Sequence, residues 1–234
     1  MTPLIEVRDL HFHYDDGTMA LNGVDFQLFP GETVALLGAN GSGKTTFVLH
    51  LSGLLMGQGS IEVCGMRLGK ETLPRIRRKI GLVFQDSETQ LFMPTVLEDV
   101  AFGLLNQGMA PATAREQAQA ALDLTGMGEA VHKAPYHLSA GEKKRVAIAG
   151  ILAMKPEILI LDEPTTYLDP PGRNSLVHLL RGLPQAKILV THDTDFAEAL
   201  ARRGCFFEHG TVAGTGTVRE LVQRFGWDKL RTAC

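Results

Sequence analysis

The chain has 234 residues, 44% hydrophobic and 21% charged, which excludes a disordered polymer and leaves room for one large domain or a core with an insertion. A net charge of −3 gives no electrostatic case for nucleic acid as a partner, and no apolar run approaches the roughly 18 residues of a membrane span. Cys64, Cys205 and Cys234 are far apart, follow no metal-binding spacing and fit a reduced compartment.

Residues 1–7 lack the basic start and apolar stretch of a signal peptide, so any work at a membrane is expected from the cytoplasmic side, through other proteins. Residues 4–14 alternate as a strand, turn at Asp15-Asp16-Gly17, and resume as a strand over 21–29. Residues 33–37 are an apolar strand and 46–51 open a helical pattern; between them stands Gly38-Ala39-Asn40-Gly41-Ser42-Gly43-Lys44-Thr45. This is a G-x-x-x-x-G-K-[ST] phosphate-binding loop in its working context. Its glycines let the backbone curl so that N–H groups cradle phosphate oxygens, and the following helix presents its positive end to them. Lys44 reaches the β- and γ-phosphates, and the Thr45 hydroxyl ligates Mg²⁺. The nucleotide-contacting set is therefore Gly38, Asn40, Gly41, Ser42, Gly43, Lys44, Thr45 and Thr46, and the ligands are ATP and Mg²⁺.

Further strands are predicted over 60–64 and 80–84, and Gln85 follows the second; its neutral amide can reach Mg²⁺ or an attacking water, or it is an ordinary loop glutamine. The basic run 75–79 reads as a solvated helix face, with phosphate or lipid contact as the minority alternative. From 86 to 155 the pattern turns helical, notably over 112–124 and 141–154. Leu138-Ser139-Ala140-Gly141-Glu142 reads both as a capping box and as an anion site at a helix start. Residues 157–161 return to strand, and Ile158-Leu159-Ile160-Leu161 ends in Asp162-Glu163. Asp162 suits Mg²⁺, and Glu163 suits polarising the water that attacks a γ-phosphate. Helices over 172–180 and 195–201 alternate with strands over 187–190 and 205–208; His192 follows the first of these strands, as a structural cap or as a group near the γ-phosphate. The alternation implies an α/β fold with a mostly parallel sheet covered on both faces, interrupted by a helical subdomain at about residues 86–155.

Taken together, these segments resemble the ATPase subunits of ABC transporters over nearly the whole chain. The resemblance implies a single nucleotide-binding domain of that type, with core 1–85 and 156–234, an antiparallel β-subdomain and an inserted helical subdomain 86–155. It makes Gln85 the glutamine switch, 138–142 the signature, Leu168-Asp169 the D-loop and His192 the switch histidine. It also places Tyr14 against adenine, although Tyr14 is otherwise an ordinary strand aromatic. Such subunits work as head-to-tail dimers, which gives Ser139, Ala140, Gly141, Glu142 and Asp169 to the partner's ATP or to the dimer interface; blandly, Asp169 is a helix cap. Ala140 and Glu142 depart from the usual Gly and Gln, which predicts retained but slowed hydrolysis, and Tyr167 stands where many relatives carry a small residue, which bears on the fit of the D-loop. Residues 83–86, 90–96, 98–103 and 141–150 look like the energy-coupling-factor group. That implies a transmembrane coupling subunit, a substrate-binding membrane subunit, a homodimer or heterodimer of ATPases, and a peripheral place on the cytoplasmic face of the membrane. Little room remains after residue 222 for a long extension, which favours a cobalt or nickel importer over a vitamin importer. His11 and His13, on one strand, read as exposed strand residues rather than metal ligands.

Overall fold

The structure, a computed structural model, describes residues 2–227; Cys234 lies outside the described residues. Two sheets organise it. The smaller is antiparallel, in the order β2 (Met19–Leu28), β1 (Ile5–His13), β4 (Gln58–Val63), β5 (Met66–Arg67). The larger has six strands, in the order β10 (Thr211–Gly216), β9 (Arg203–Glu208), β3 (Thr33–Leu37), β8 (Ala186–Val190), β7 (Ile158–Asp162), β6 (Ile80–Val83). All its neighbours pair in parallel except β10 with β9. The expected α/β class and mostly parallel sheet are therefore present, together with the antiparallel sheet.

Alternation along the strands sorts the core. In β7, Ile158 and Ile160 join one cluster while Leu159 and Leu161 join another, and all four are buried. The first cluster lies between the two sheets around α1 (Lys44–Leu51), with Phe47, Val48 and Leu51 packed on Val34, Leu36 and Phe207. The second covers the opposite face with Leu176 and Leu180 of α6 (Pro170–Gly182) and Phe196 of α7 (Thr194–Leu200).

Residues 87–153 contain helices α3 (Val96–Asn106), α4 (Pro111–Leu124) and α5 (Ala140–Ala153), with three short 3₁₀ turns and no strand. They enclose a cluster of their own: Val100, Leu104, Ala118 and Leu122 meet Val146, Ala149 and Ala153 of α5. The other side of α5, with Ala147, Ile148 and Leu152, packs on the large sheet. This explains why α5 lacks a clean apolar stripe in the sequence: a helix buried on two sides needs small and apolar residues nearly all round.

Four elements give no periodic signal in the sequence, among them β5, only two residues long. Strand β10 is Gly- and Thr-rich and sits at a sheet edge, where little burial is demanded of it. Helices α2 (Leu73–Arg77) and α8 (Val218–Arg224) are only five and seven residues long, too short for a periodic signal. The basic run 75–79 spans the end of α2, where Arg77 donates to the carbonyls of Ser52 and Gly53 rather than facing only solvent. In β1 the register shifts around Asp9, whose φ is 50°, and His11 Nε2 lies 2.8 Å from Asp9 Oδ1. Among the described residues no group of three or more metal-ligating side chains forms there or elsewhere.

His50 is fully buried in α1, with Nδ1 2.7 Å from the Thr46 carbonyl and the Phe12 ring edge-on at 4.6 Å. An accepting carbonyl requires the proton on Nδ1, and Nε2 has no partner among the described residues. Burial lowers the pKa below its ordinary 6.5, so the folded state binds fewer protons than the unfolded one as pH falls through that value. Stability contributed by neutral His50 is accordingly present above pH 6.5 and lost on acidification. His50→Asn, which can keep the donor to Thr46, is expected to flatten the fall of Tm between about pH 6.5 and 5, whatever its effect on Tm at neutral pH; thermal melts across that range test it.

Candidate active site

The loop between β3 and α1 owes its glycines to neighbouring strands as much as to any ligand. Gly38 has φ 132°, and a Cβ there would lie 2.2 Å from the Phe207 carbonyl oxygen of β9. Gly43 has φ 104°, and a Cβ there would lie 2.5 Å from the carbonyl oxygen of Ala20 in β2. Gly41, at φ 77°, faces open space and needs glycine only for its backbone angle. Gly43 also starts α1 without a side-chain cap, leaving the first N–H groups of the helix to an outside acceptor.

Lys44 is 6% exposed and folds back over the loop. Its Nζ donates to the Gly38 and Ala39 carbonyls, each at 2.8 Å, and to Ser42 Oγ at 3.4 Å. Burial lowers its pKa, against the opposing pull of the Glu163 and Asp162 carboxylates.

Those carboxylates stand at the C-terminal end of β7, where a parallel sheet holds ligands. Thr45 Oγ1 donates to Asp162 Oδ2 at 3.1 Å, while the buried Oδ1 has no partner among the described residues. Burial raises the Asp162 pKa; the Thr45 bond lowers it and the neighbouring Glu163 raises it further. Glu163 takes a left-handed φ of 43°, with its N–H donating to the Val190 carbonyl at 2.8 Å. Its Oε2 lies 2.9 Å from His192 Nδ1 and accepts the His192 backbone N–H at 3.4 Å. The His192 side chain is 65% exposed, so the imidazole leans from the rim onto a nearly buried carboxylate.

Tyr14, Asn40, Gly41, the stretch 43–46, Gln85, Asp162, Glu163 and His192 line one cavity of about 500 Å³. It is bounded also by Thr18, Met19 and Ala20, which the sequence did not single out. The Tyr14 hydroxyl lies 2.9 Å from Thr46 Oγ1, and the Phe12 ring meets the Tyr14 ring edge-on at 5.0 Å. Gly38 and Ser42 serve from beneath, as acceptors for Lys44.

The remaining predicted residues stand apart from that cavity. Ser139 caps α5 in a complete capping box: its hydroxyl accepts the Glu142 N–H and donates to Glu142 Oε2, which also accepts the Ser139 N–H. These bonds hold the Glu142 carboxyl below its ordinary range. Ala140 borders a second cavity of about 490 Å³, shared with Gln85, Lys144, Thr166 and Tyr167. Asp169 caps α6 through Gly172, at 2.9 Å, and Tyr167 is 81% exposed at φ 66°.

Two contacts were not legible beforehand. Lys144, in the run Lys143-Lys144-Arg145, is 3% exposed, and its Nζ donates to the Gln85 carbonyl at 2.7 Å. Arg173 of α6 donates to Asp193 Oδ1 at 2.7 Å, joining the Asp169 helix to the residue after His192. Both join segments distant in sequence, and no local pattern announces them.

This loop, strand end and histidine are those of an ATP-binding cassette, and the sequence model of the ABC transporter family matches residues 21–166. The chain belongs to that family; its cassettes bind and hydrolyse ATP, and this chain is an ATPase. It is 44% identical over 227 residues to the energy-coupling factor transporter ATP-binding protein EcfA of Methanosphaera stadtmanae, spanning 94% of this chain and 82% of that protein. Among solved structures it is similar to CbiO1 of Clostridium perfringens, described as part of the ABC transporter complex CbiONQ. That match has a TM-score of 0.87 and 35% identity, covering 99% of this chain and 96% of that one. It is also similar to a dimeric ATP-binding cassette in a post-hydrolysis state bound to ADP and Pi (TM-score 0.82, 29% identity, 92% and 99% coverage).

Gly43→Ala is expected to weaken ATP binding at least tenfold by forcing the loop off the Ala20 carbonyl. Gly108→Ala, also at positive φ but with nothing within 4 Å, should leave it unchanged. Titration with a fluorescent ATP analogue checks both.

Proposed function

We propose that this chain is the ATP-hydrolysing subunit of a membrane importer of the energy-coupling-factor type, acting as one half of an ATP-clamping dimer at the cytoplasmic face of the membrane. One observation carries the dimer: Ser139, Ala140, Gly141 and Asp169 do not line the phosphate-loop cavity of their own protomer. Their helix starts, at α5 and α6, are available to a nucleotide held by a second ATPase, identical or related.

The residues fit Mg²⁺. A buried, unpartnered Asp162 Oδ1 beside the Thr45 hydroxyl offers hard oxygen donors, and Gln85 lines the same cavity. Thr45, Asp162 and Gln85 would hold the ion, which when bound offsets charge on the β- and γ-phosphates. Lys44, freed from the Gly38 and Ala39 carbonyls, turns its ammonium to the same phosphates. Tyr14 supplies a ring for adenine, worth about 0.5–1.5 kcal/mol beyond its buried area. Glu163 takes the proton of the attacking water as its oxygen bonds to the γ-phosphorus and the bond from that phosphorus to the β,γ-bridging oxygen breaks, so that ADP leaves with the electron pair and inorganic phosphate is formed; His192 fixes the orientation of that carboxylate from the rim.

We read residues 86–155 as the helical subdomain and its exposed aromatic pair as the surface that meets a transmembrane coupling subunit. Phe92 and Phe102 are 63% and 37% exposed, with ring centroids 5.0 Å apart. Among the described residues no helix is long and apolar enough to cross a membrane, so contact with the bilayer runs through that subunit and a substrate-binding one. The similarity to EcfA and CbiO1 and the resemblance of residues 141–150 support the energy-coupling-factor class, and within that class we propose a transition-metal ion, cobalt or nickel, as the transported species.

Three measurements test this. Glu163→Gln should lower phosphate release at least a hundredfold while ATP still binds; an equal rate would remove Glu163 from the chemistry. Glu142→Gln, which keeps the capping box and deletes a negative charge facing phosphate, should strengthen ATP-dependent dimerisation several-fold by light scattering. Affinity purification from mildly solubilised native membranes should recover a coupling subunit with a cobalt- or nickel-type membrane subunit. Vitamin-binding subunits would overturn the metal, and nucleic acid or no partner would overturn transport.

A further inference from the structure

Lys144 lies in the second turn of α5, on the helix that Ser139 caps, and the fold gives no reason for its charge. It is 3% exposed, and its Nζ donates to the carbonyls of Phe84, at 3.3 Å, and Gln85, at 2.7 Å. Burial pushes its pKa down to about 8, against the attraction of the Asp86 and Asp162 carboxylates. An apolar side chain of the same length would fill that volume without desolvating an ammonium, as Ile148 and Leu152 do further along the helix. What the ammonium supplies is direction: it ties two successive carbonyls at the end of β6 to one point on α5.

The other side of that loop is held by Gln90, whose Oε1 accepts the Phe84 N–H at 3.0 Å and whose Nε2 donates to the Leu82 carbonyl at 3.2 Å. Gln85 itself borders both cavities, the phosphate-loop one and the one beside Ala140. Its backbone is therefore a joint between the protomer's own nucleotide pocket and the helix start offered to the partner's nucleotide.

We propose that Lys144 is a positioning residue for Gln85, transmitting a displacement of α5 to the Gln85 amide through its bonds to the Phe84 and Gln85 carbonyls. The inference rests on the dimer reading above, in which the α5 N-terminus engages nucleotide held by the partner. Nucleotide at that helix start then sets the place of Gln85 in the other pocket, so the two sites turn over together.

The test compares Lys144→Met, which keeps length and loses the donors, with Lys144→Arg, which keeps donors and charge and has the adjoining cavity for its bulk. The methionine variant is expected to lose at least tenfold in kcat and to bring the Hill coefficient for ATP close to 1. The KM for ATP should stay within twofold and Tm should be unchanged or raised. Arginine should restore kcat to within about threefold of wild type. A methionine variant with wild-type turnover and cooperativity overturns the role. So does one whose loss of turnover comes with a lower Tm or failure to fold, because Lys144 is then structural. ATP-dependent dimerisation of Glu163→Gln is measured alongside. No dimer there overturns the dimer reading itself, whereas a dimer with unaltered Lys144→Met turnover overturns only Lys144.

Discussion

The buried ammonium of Lys44 is the charge around which the site is assembled. It sits within the electrostatic reach of Asp162 and Glu163 and is bonded to two carbonyls of its own loop, so the loop has its phosphate-binding shape before any phosphate arrives. Two adjacent carboxylates at the end of β7 would repel each other strongly in a dry pocket, and a cation on the loop after β3, on the far side of β8, offsets that repulsion. Remove it and Asp162, already pushed toward protonation by burial, loses one of the charges that keep it ionised. The parallel pairing of β3, β8 and β7 is what brings these groups to one edge of the sheet.

Most of this was readable from the residues. The phosphate loop, the apolar run ending at Asp162-Glu163 and the strand before His192 each combine a local pattern with a physical reason for its position. Together they point to the α/β class and to Gln85, Glu163 and His192, while Tyr14 came from the family resemblance alone; all four line one cavity. What stayed hidden was long-range or lacked contrast. The glycines at 38 and 43 looked like a matter of loop curvature, but the carbonyls of Phe207 and Ala20 decide them. Lys144 was lost in a basic run because three adjacent charges look alike until the helix phase relative to β6 is known. Strand β10 carries no apolar alternation to detect.

Helix α5 explains how the helical layer and the catalytic sheet form one body. Val146, Ala149 and Ala153 close the helical cluster, while Ala147, Ile148 and Leu152 lie on the sheet. Close packing on both sides makes the helix stiff, since interiors transmit displacement rather than absorb it. Gly81 of β6 shows how tight the fit is: a Cβ there would lie 2.0 Å from Ile151 Cγ2. A force on the outer helices therefore reaches the end of β6, and with it the loop that carries Gln85.

The finished end of α5 has a consequence of its own. Ser139 and Glu142 already satisfy each other and two N–H groups of the helix start, so an anion that draws on those groups has to displace an internal ligand. A cap of this kind is worth about 1 kcal/mol, which sets a threshold. Weakly held, singly charged ions fall below it, and a polyphosphate carrying several charges clears it. In the dimer proposed above, that cost would favour a polyphosphate over small, singly charged anions at the helix start.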